Sequence, residues 1–271
     1  MCYDVSFTVD LGEITSNFPA LIPDSQIEIN FDTTHIVAHS YNEHPIIYKN
    51  RDDQALHLRK MQWGCIPFYV NDLKKFGKQR TTMLNARSER ILGDEKSYWY
   101  KIRNRRCLIP VNGIYEHRAI EGWKHKVPYF VHLKVQHLFF LPGLYSIANI
   151  PDVETGEVIP NWTYTLITRP ANDLMKQIHN DGDNKWRMPL FLPFDLSQKW
   201  VAEDISLPDY QAILDYEMPS SALEAWPVYS IRTTRQRPDD KQKNERFEWE
   251  ELPALGHDLQ MDPITSKRLK I

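Results

Sequence analysis

Between residues 107 and 168 the chain offers one run of β-formers after another, with no helical periodicity between them. Strands that come in runs, and do not alternate regularly with helices, point to an α+β fold and not to a doubly wound one. Cys107-Leu-Ile-Pro and Ile114-Tyr-Glu-His read as two short strands about an Asn112-Gly113 hairpin turn. Residues 129–135 alternate and then meet 138–141, a second hairpin pattern, and 164–168 is a further strand. After Pro170 the pattern changes. Leu174 and Ile178, four apart, predict a short helix over 172–179. Residues 194–203 and 208–216 predict two more, the first capped by Asp195 or Ser197.

Composition closes off other classes. The 271 residues are 42% hydrophobic and 25% charged, which excludes a disordered, collagen-like or coiled-coil chain. Ten glycines against 18 prolines argue against a glycine-rich nucleotide-binding architecture and fit rigid turns and strand ends. The apolar runs are short, and the N-terminus has neither a basic nor an apolar signal region, so an intracellular, cytoplasmic protein without a membrane partner is expected. Three widely spaced cysteines form no disulfide framework or zinc motif. The net charge of −3 hides an asymmetry: residues 74–118 hold 12 Lys or Arg against 4 Asp or Glu. A basic block in an acidic chain is the footprint of an anion-binding face, or else a solvated surface whose charges never converge. No repeat or linker divides the chain. Residues 1–235 read as one domain and 236–271 as a peripheral acidic tail.

Four segments can carry chemistry. If Met1 is removed, Cys2 presents a thiol and an α-amine on adjacent carbons, both partly deprotonated near neutral pH. Such an aminothiol condenses with an aldehyde to an imine and closes to a thiazolidine. The ring-opened sugar of an abasic DNA site is an intracellular aldehyde of this kind. In Leu84-Asn-Ala-Arg-Ser-Glu-Arg90, Asn85 both donates and accepts, and Arg87 offers a planar fork for phosphate. Glu116 lies between apolar neighbours, where burial would raise its pKa toward proton-shuttling range. His179, near a helix end, is the best-placed histidine for proton transfer. Each also has a structural reading: a turn with surface charges, an outward strand glutamate, a satisfied core histidine. His35, His39 and His44 fall in strand and turn with no acidic partner, so no metal site is expected. Trp63-Gly-Cys-Ile-Pro-Phe-Tyr could stack an unpaired base or form core.

In order, Met-Cys, W-G-x-I-P, N-A-R-S-E, R-C-L-I-P-x-x-G-x-Y-E, P-G-L-Y, T-x-x-P-A-N, the helix-end histidine and R-M-P resemble the SRAP family, the SOS-response-associated peptidase-like proteins that handle abasic sites. The match runs to about Leu192, with Trp226-Pro-Val-Tyr-Ser a further point of similarity. The resemblance implies one compact α+β domain with a mixed, largely antiparallel curved sheet and a cleft for single-stranded DNA. It implies a monomer without cofactor or metal. It also implies a thiazolidine crosslink at Cys2, Asn85 holding the terminus, Glu116 as acid/base, and His179 assisting ring opening. Self-processing before Cys2 would give the peptidase or lyase character. Arg87 and Arg187 would bind phosphate, Trp63 would lie beside the DNA, and Arg105, Arg106 and Thr168 would complete the interface. This chain departs from the pattern at Tyr3-Asp4, where the family has Gly-Arg, and Asp4 brings a repulsive charge. It also has His117 in place of Trp, Phe68-Tyr69 after the proline, and residues 180–186 inserted between His179 and R-M-P. Rival readings are a cysteine peptidase or amidotransferase-like hydrolase using Cys2 as N-terminal nucleophile, and a non-catalytic single-strand-binding module.

Overall fold

The computed structural model describes residues 2–24, 32–152, 154–201, 205–233 and 235–256. In chain order these form β1 (Asp4–Thr8), α1 (Leu11–Asn17), β2 (Ile22–Pro23), β3 (Asp32–Val37), β4 (Glu43–Lys49), β5 (Leu56–Trp63) and α2 (Leu73–Arg80). There follow β6 (Asn85–Arg87), α3 (Glu89–Leu92), α4 (Tyr98–Lys101), β7 (Arg106–Val111), β8 (Gly113–Arg118), β9 (Val127–Leu133), β10 (Phe139–Pro151) and β11 (Val158–Pro170). The last elements are α5 (Asp173–Ile178), β12 (Arg187–Pro189), α6 (Phe194–Val201), α7 (Leu207–Leu214) and β13 (Leu223–Pro227). The fold is α+β, with mixed but largely antiparallel strands in two sheets.

The first sheet is antiparallel, in the order β13-β9-β8-β1-β3, so the first strand of the chain lies inside it. In the second, β11, β10, β7, β4 and β5 follow one another, and β5 returns to pair with β11 in parallel at Gln62–Thr163 and Trp63–Tyr164. That closure makes a small barrel and removes the open edges that an apolar sheet would expose. It also explains the continuous apolar run of Phe139, Phe140 and Leu141, all buried. Gly143 is required by the close approach of β11 to β10: a Cβ there would lie 2.6 Å from the Thr165 carbonyl oxygen. Helix α6 covers β7 and β10 through Trp200, whose indole N–H donates to the carbonyls of Cys107 (3.0 Å) and Gly143 (3.3 Å).

Neither expected hairpin exists. β7 and β8 are both strands, yet β7 pairs with β10 and β4 in the barrel, while β8 pairs with β1 and β9 in the other sheet. Asn112 is the corner between them. Its N–H donates to Ser6 O (3.1 Å), its amide oxygen accepts from Thr8 N (3.0 Å), and its amide nitrogen donates to the Thr8 hydroxyl. Neither Asn112 nor Gly113 has the left-handed backbone that a two-residue hairpin turn of this composition needs. Gly113 is needed for a different reason: a Cβ would sit 2.0 Å from the Phe130 ring on β9. Likewise β9 and β10 belong to different sheets. Proline is also not confined to strand ends, since Pro110 and Pro142 lie within β7 and β10.

The helices follow expectation more closely. Asn172 caps α5, its amide oxygen accepting from Met175 N at 3.0 Å. Ser206 caps α7. Ser197 is interior to α6 and does not cap it, its hydroxyl donating to Phe140 O at 3.2 Å. The described part of the stretch set apart as a tail packs against the first sheet. Arg237 donates to the carbonyls of Gln242, Glu245 and Arg246, Trp249 donates to Val228 O, and the fully buried Arg118 of β8 donates to Pro253 O (2.7 Å) and Ala254 O (3.1 Å). Among the described residues no helix is long and apolar enough to cross a membrane.

Gly113→Ala is expected to destabilise the protein by about 1–3 kcal/mol through overpacking against Phe130. Adding Phe130→Leu should recover part of that stability in thermal melts; a Gly113→Ala protein as stable as the parent would contradict the contact.

Candidate active site around Cys2

The site forms where the two sheets meet. Cys2 lies two residues before the start of β1 and is fully buried. In the β1–β8 register Asp4 faces Tyr115, so the antiparallel strands carry Cys2 and Tyr3 toward Glu116 and His117. On the other side β6 lies parallel to β11, pairing Asn85 with Leu166 and Arg87 with Thr168. Alternation along β6 turns the side chains of Asn85 and Arg87 to the same face. The Asn85 amide nitrogen reaches from this strand to Cys2 O at 3.0 Å, joining the barrel to the N-terminus.

The electrostatics are those of a dry pocket. Burial, followed by the Glu116 carboxylate, pushes the Cys2 thiol well above its ordinary range, and its Sγ contacts Asp4 O at 3.5 Å. Burial lifts Glu116 to about 8, so it holds its proton at neutral pH. Glu116 Oε1 and Asn85 Oδ1 are both buried with no hydrogen-bond partner among the described residues. Buried acceptors are ordinarily satisfied, so two orphans beside one residue mark a place for a donor. His179 caps the C-terminus of α5, and the Asn180 amide ties this end to the chain after β8 through Ala119 N (2.8 Å) and Ala119 O (2.9 Å). His179 Nδ1 donates to Arg187 O at 2.8 Å, which leaves Nε2 as the basic nitrogen, and burial lowers the ring to about 4. Cys2, Asn85 and Glu116 are thus in one corner, with His179 held against the end of β8.

Asp4 does not project a repulsive charge. It is buried and bonded by His35 Nε2 (2.8 Å) and Arg232 (2.6 Å). These partners, working against burial, hold its carboxyl below the usual range. The pair pins β1 two residues from Cys2. Beside Asn85 opens a groove of about 480 Å³ lined by Tyr3, Thr81, Thr82, Arg87 and Arg90. Arg87 is exposed there, one of its nitrogens donating to Asn184 Oδ1 at 3.1 Å.

Several expected contacts are elsewhere. Trp63 is a core residue, 1% exposed, stacked on Tyr164 and donating to Leu84 O, so it does not lie beside a bound strand. Thr168 is fully buried. Arg187 is mostly buried and forks onto the Glu89 carboxylate and Thr168 O, so it shapes the site and faces no open phosphate position. Arg106 lines a separate cavity with Lys49 and Arg51, against Trp200 and Tyr210, while Arg105 lies over Tyr145. The basic block is therefore not one face. Arg80 turns inward to Gly64 O and Gln62, and Arg118 holds the C-terminal segment. Sequence reasoning missed Tyr3, Thr81, Thr82 and Arg90 as groove residues; their signal was proximity in sequence to Cys2 and Arg87. Of the three histidines, His35 binds Asp4, His44 bonds the Tyr164 hydroxyl, and His39 stands against Tyr3, with ring centroids 4.8 Å apart. No cluster of metal-ligating side chains occurs among the described residues.

Comparison with known proteins places the chain among similar sequences and folds. The abasic site processing protein YoqW of Bacillus subtilis is 32% identical over 195 residues, covering 71% of this chain and 80% of that protein. HMCES of Gallus gallus, also named an abasic site processing protein, is 25% identical over 174 residues, 57% of this chain and 48% of its own. A crystal structure of a Bacteroides thetaiotaomicron protein superposes with a TM-score of 0.71 at 24% identity, over 90% of this chain and 97% of that one, which shows the shared fold. The model of the SOS response associated peptidase (SRAP) family matches residues 1–231, and the chain belongs to that family.

Proposed function

We propose that this protein processes abasic sites by capturing them covalently in single-stranded DNA through Cys2, once Met1 has been removed. The observation that carries the reading is the pair of buried orphan acceptors, Asn85 Oδ1 and Glu116 Oε1, around a buried Cys2. A freed α-amine at Cys2 is the donor they lack. The thiol points the same way. A thiolate hydrolase needs a depressed thiol pKa, whereas burial and Glu116 raise this one. The amine is then the first nucleophile and the thiol the second.

The chemistry balances. The amine adds to C1′ of the open-chain sugar to give a carbinolamine. Protonated Glu116 donates to the departing hydroxyl, water leaves and an imine forms. The thiol adds to the imine carbon, its proton passing to the imine nitrogen, and a thiazolidine closes with the net loss of one water. His179 Nε2 accepts a proton from the sugar hydroxyl during ring opening, and Arg87 at the groove receives a flanking phosphate. Names of relatives such as YoqW support the abasic substrate. Self-cleavage before Cys2 would use the same Glu116.

Three results test this. On a denaturing gel, protein whose intact mass shows that Met1 is gone should give a heat-stable band with abasic single-stranded DNA and none with intact DNA. Cys2→Ala should abolish the band while keeping salt-sensitive binding; a crosslink that survives Cys2→Ala overturns the mechanism, and equal binding of intact and abasic DNA without a band would favour a plain binding module.

The pH profile carries a sign. Capture rises as the amine deprotonates near about 8 and falls as Glu116 loses its proton, also near about 8, the two steps belonging to the coupled pair. Glu116→Gln should slow capture by about 100-fold or more and remove the alkaline limb. Because the folded pKa of Glu116 is raised, its destabilising contribution is absent below the unfolded carboxyl value and grows up to about 8. Glu116→Gln should therefore stabilise the fold more at pH 8 than at pH 4; a flat difference would place the carboxyl in water.

Arg87→Ala should weaken DNA binding by about 1–3 kcal/mol and reduce the salt slope by about 0.7 for each phosphate that Arg87 neutralises. An unchanged slope removes Arg87 from the interface.

A further inference from the structure

The 180–186 loop is tied to the candidate site at several points. Trp186 N donates to His179 O at 2.8 Å and Trp186 O accepts from Ala171 N at 2.8 Å, so the residue is clamped between His179 and the start of α5. Asn184 reaches Arg87 in the groove. The ion pair of Asp181 with Lys126 (2.9 Å) fixes the outer turn, and Gly182 supplies the left-handed backbone needed there.

Two features of Trp186 have no structural purpose in this arrangement. The residue is 52% exposed and joins neither hydrophobic cluster. Its backbone is left-handed, with φ of 62°, which is unfavourable for a bulky residue and which glycine would satisfy without strain. A strained conformation that holds a large ring half in water points to a use for that ring. The Lys185 ammonium stands 4.4 Å from the ring centroid, so a cation and an aromatic face are presented together. That is the pairing by which single-stranded nucleic acid is held: a base on the ring, a phosphate by the cation.

We propose that Trp186 and Lys185 form a stacking platform for a nucleobase of single-stranded DNA next to the lesion. Arg87, bonded to Asn184 of the same loop, lies toward the continuing backbone. This deepens the abasic-capture reading and rests on it. The platform acts in binding, and the bond-forming steps remain with Cys2, Glu116 and His179.

The test separates the two claims. Single-stranded DNA carries an unreactive tetrahydrofuran in place of the abasic sugar, with 2-aminopurine at the flanking positions in turn. On wild-type protein one flanking 2-aminopurine should be quenched by stacking. Trp186→Gly, which relieves the backbone, should melt at or above the wild-type temperature, lose the quenching and bind about 10-fold more weakly. Trp186→Phe should restore most of the affinity. With reactive abasic DNA below saturation, Trp186→Gly should form the adduct more slowly, in proportion to its weaker binding, while the adduct formed remains heat-stable. Unchanged quenching and affinity in Trp186→Gly overturn the platform while leaving capture intact. Wild-type protein lacking Met1 that captures no reactive abasic DNA overturns the underlying reading instead.

Discussion

The structure depends on β1 being an interior strand. Flanked by β8 and β3, it draws the first residues of the chain into the protein and leaves Cys2 with no exposed surface. The hydrogen bond from Asn85 to Cys2 O then joins this sheet to the barrel, and the Asp4 bonds to His35 and Arg232 fix the strand two residues further on. A chain end is ordinarily frayed; here strand pairing on both sides of β1 and the hydrogen bonds of the buried Asp4 carboxylate hold Cys2 in place. Placement that would be entropically expensive in a loop is supplied by the sheet, and under the proposed capture it orients Cys2 before substrate arrives.

The pocket's proton chemistry follows from its dryness. The same burial that raises Glu116 lowers His179, so an acid that keeps its proton and a base that stays neutral coexist near pH 7. Neither needs an unusual partner: desolvation is the leading cause at both. The groove adds a positive edge through Arg87 and Arg90, while Arg187 is held by Glu89 and orients the His179 ring through its backbone carbonyl.

Much of this was legible in the residues. The strands of 107–168, the Asn172-capped helix and the grouping of Cys2, Asn85 and Glu116 follow from local patterns and motif order. What the sequence concealed was long-range pairing. Asn112-Gly113 has the composition of a tight turn, yet the strands on either side enter different sheets, because Asn112 bonds to β1 and Gly113 admits the Phe130 ring. Trp63 has the composition of a stacking residue and lies in the core, because barrel closure places Tyr164 against it. The basic block looked like a surface and is divided by burial, since Arg80 and Arg118 hold backbone carbonyls inside. Asp4 looked like a charge facing DNA because its partner Arg232 is 228 residues away.

The central claim is that both nucleophiles of Cys2 end on one sugar carbon. Mass spectrometry of the adduct, digested with protease and nuclease and then treated with iodoacetamide, tests it directly. The account predicts an N-terminal peptide that begins at Cys2, carries the sugar remnant less one water and takes up no alkyl group at the thiol. An adduct on a lysine, or a Cys2 that remains alkylatable while linked to DNA, would contradict it.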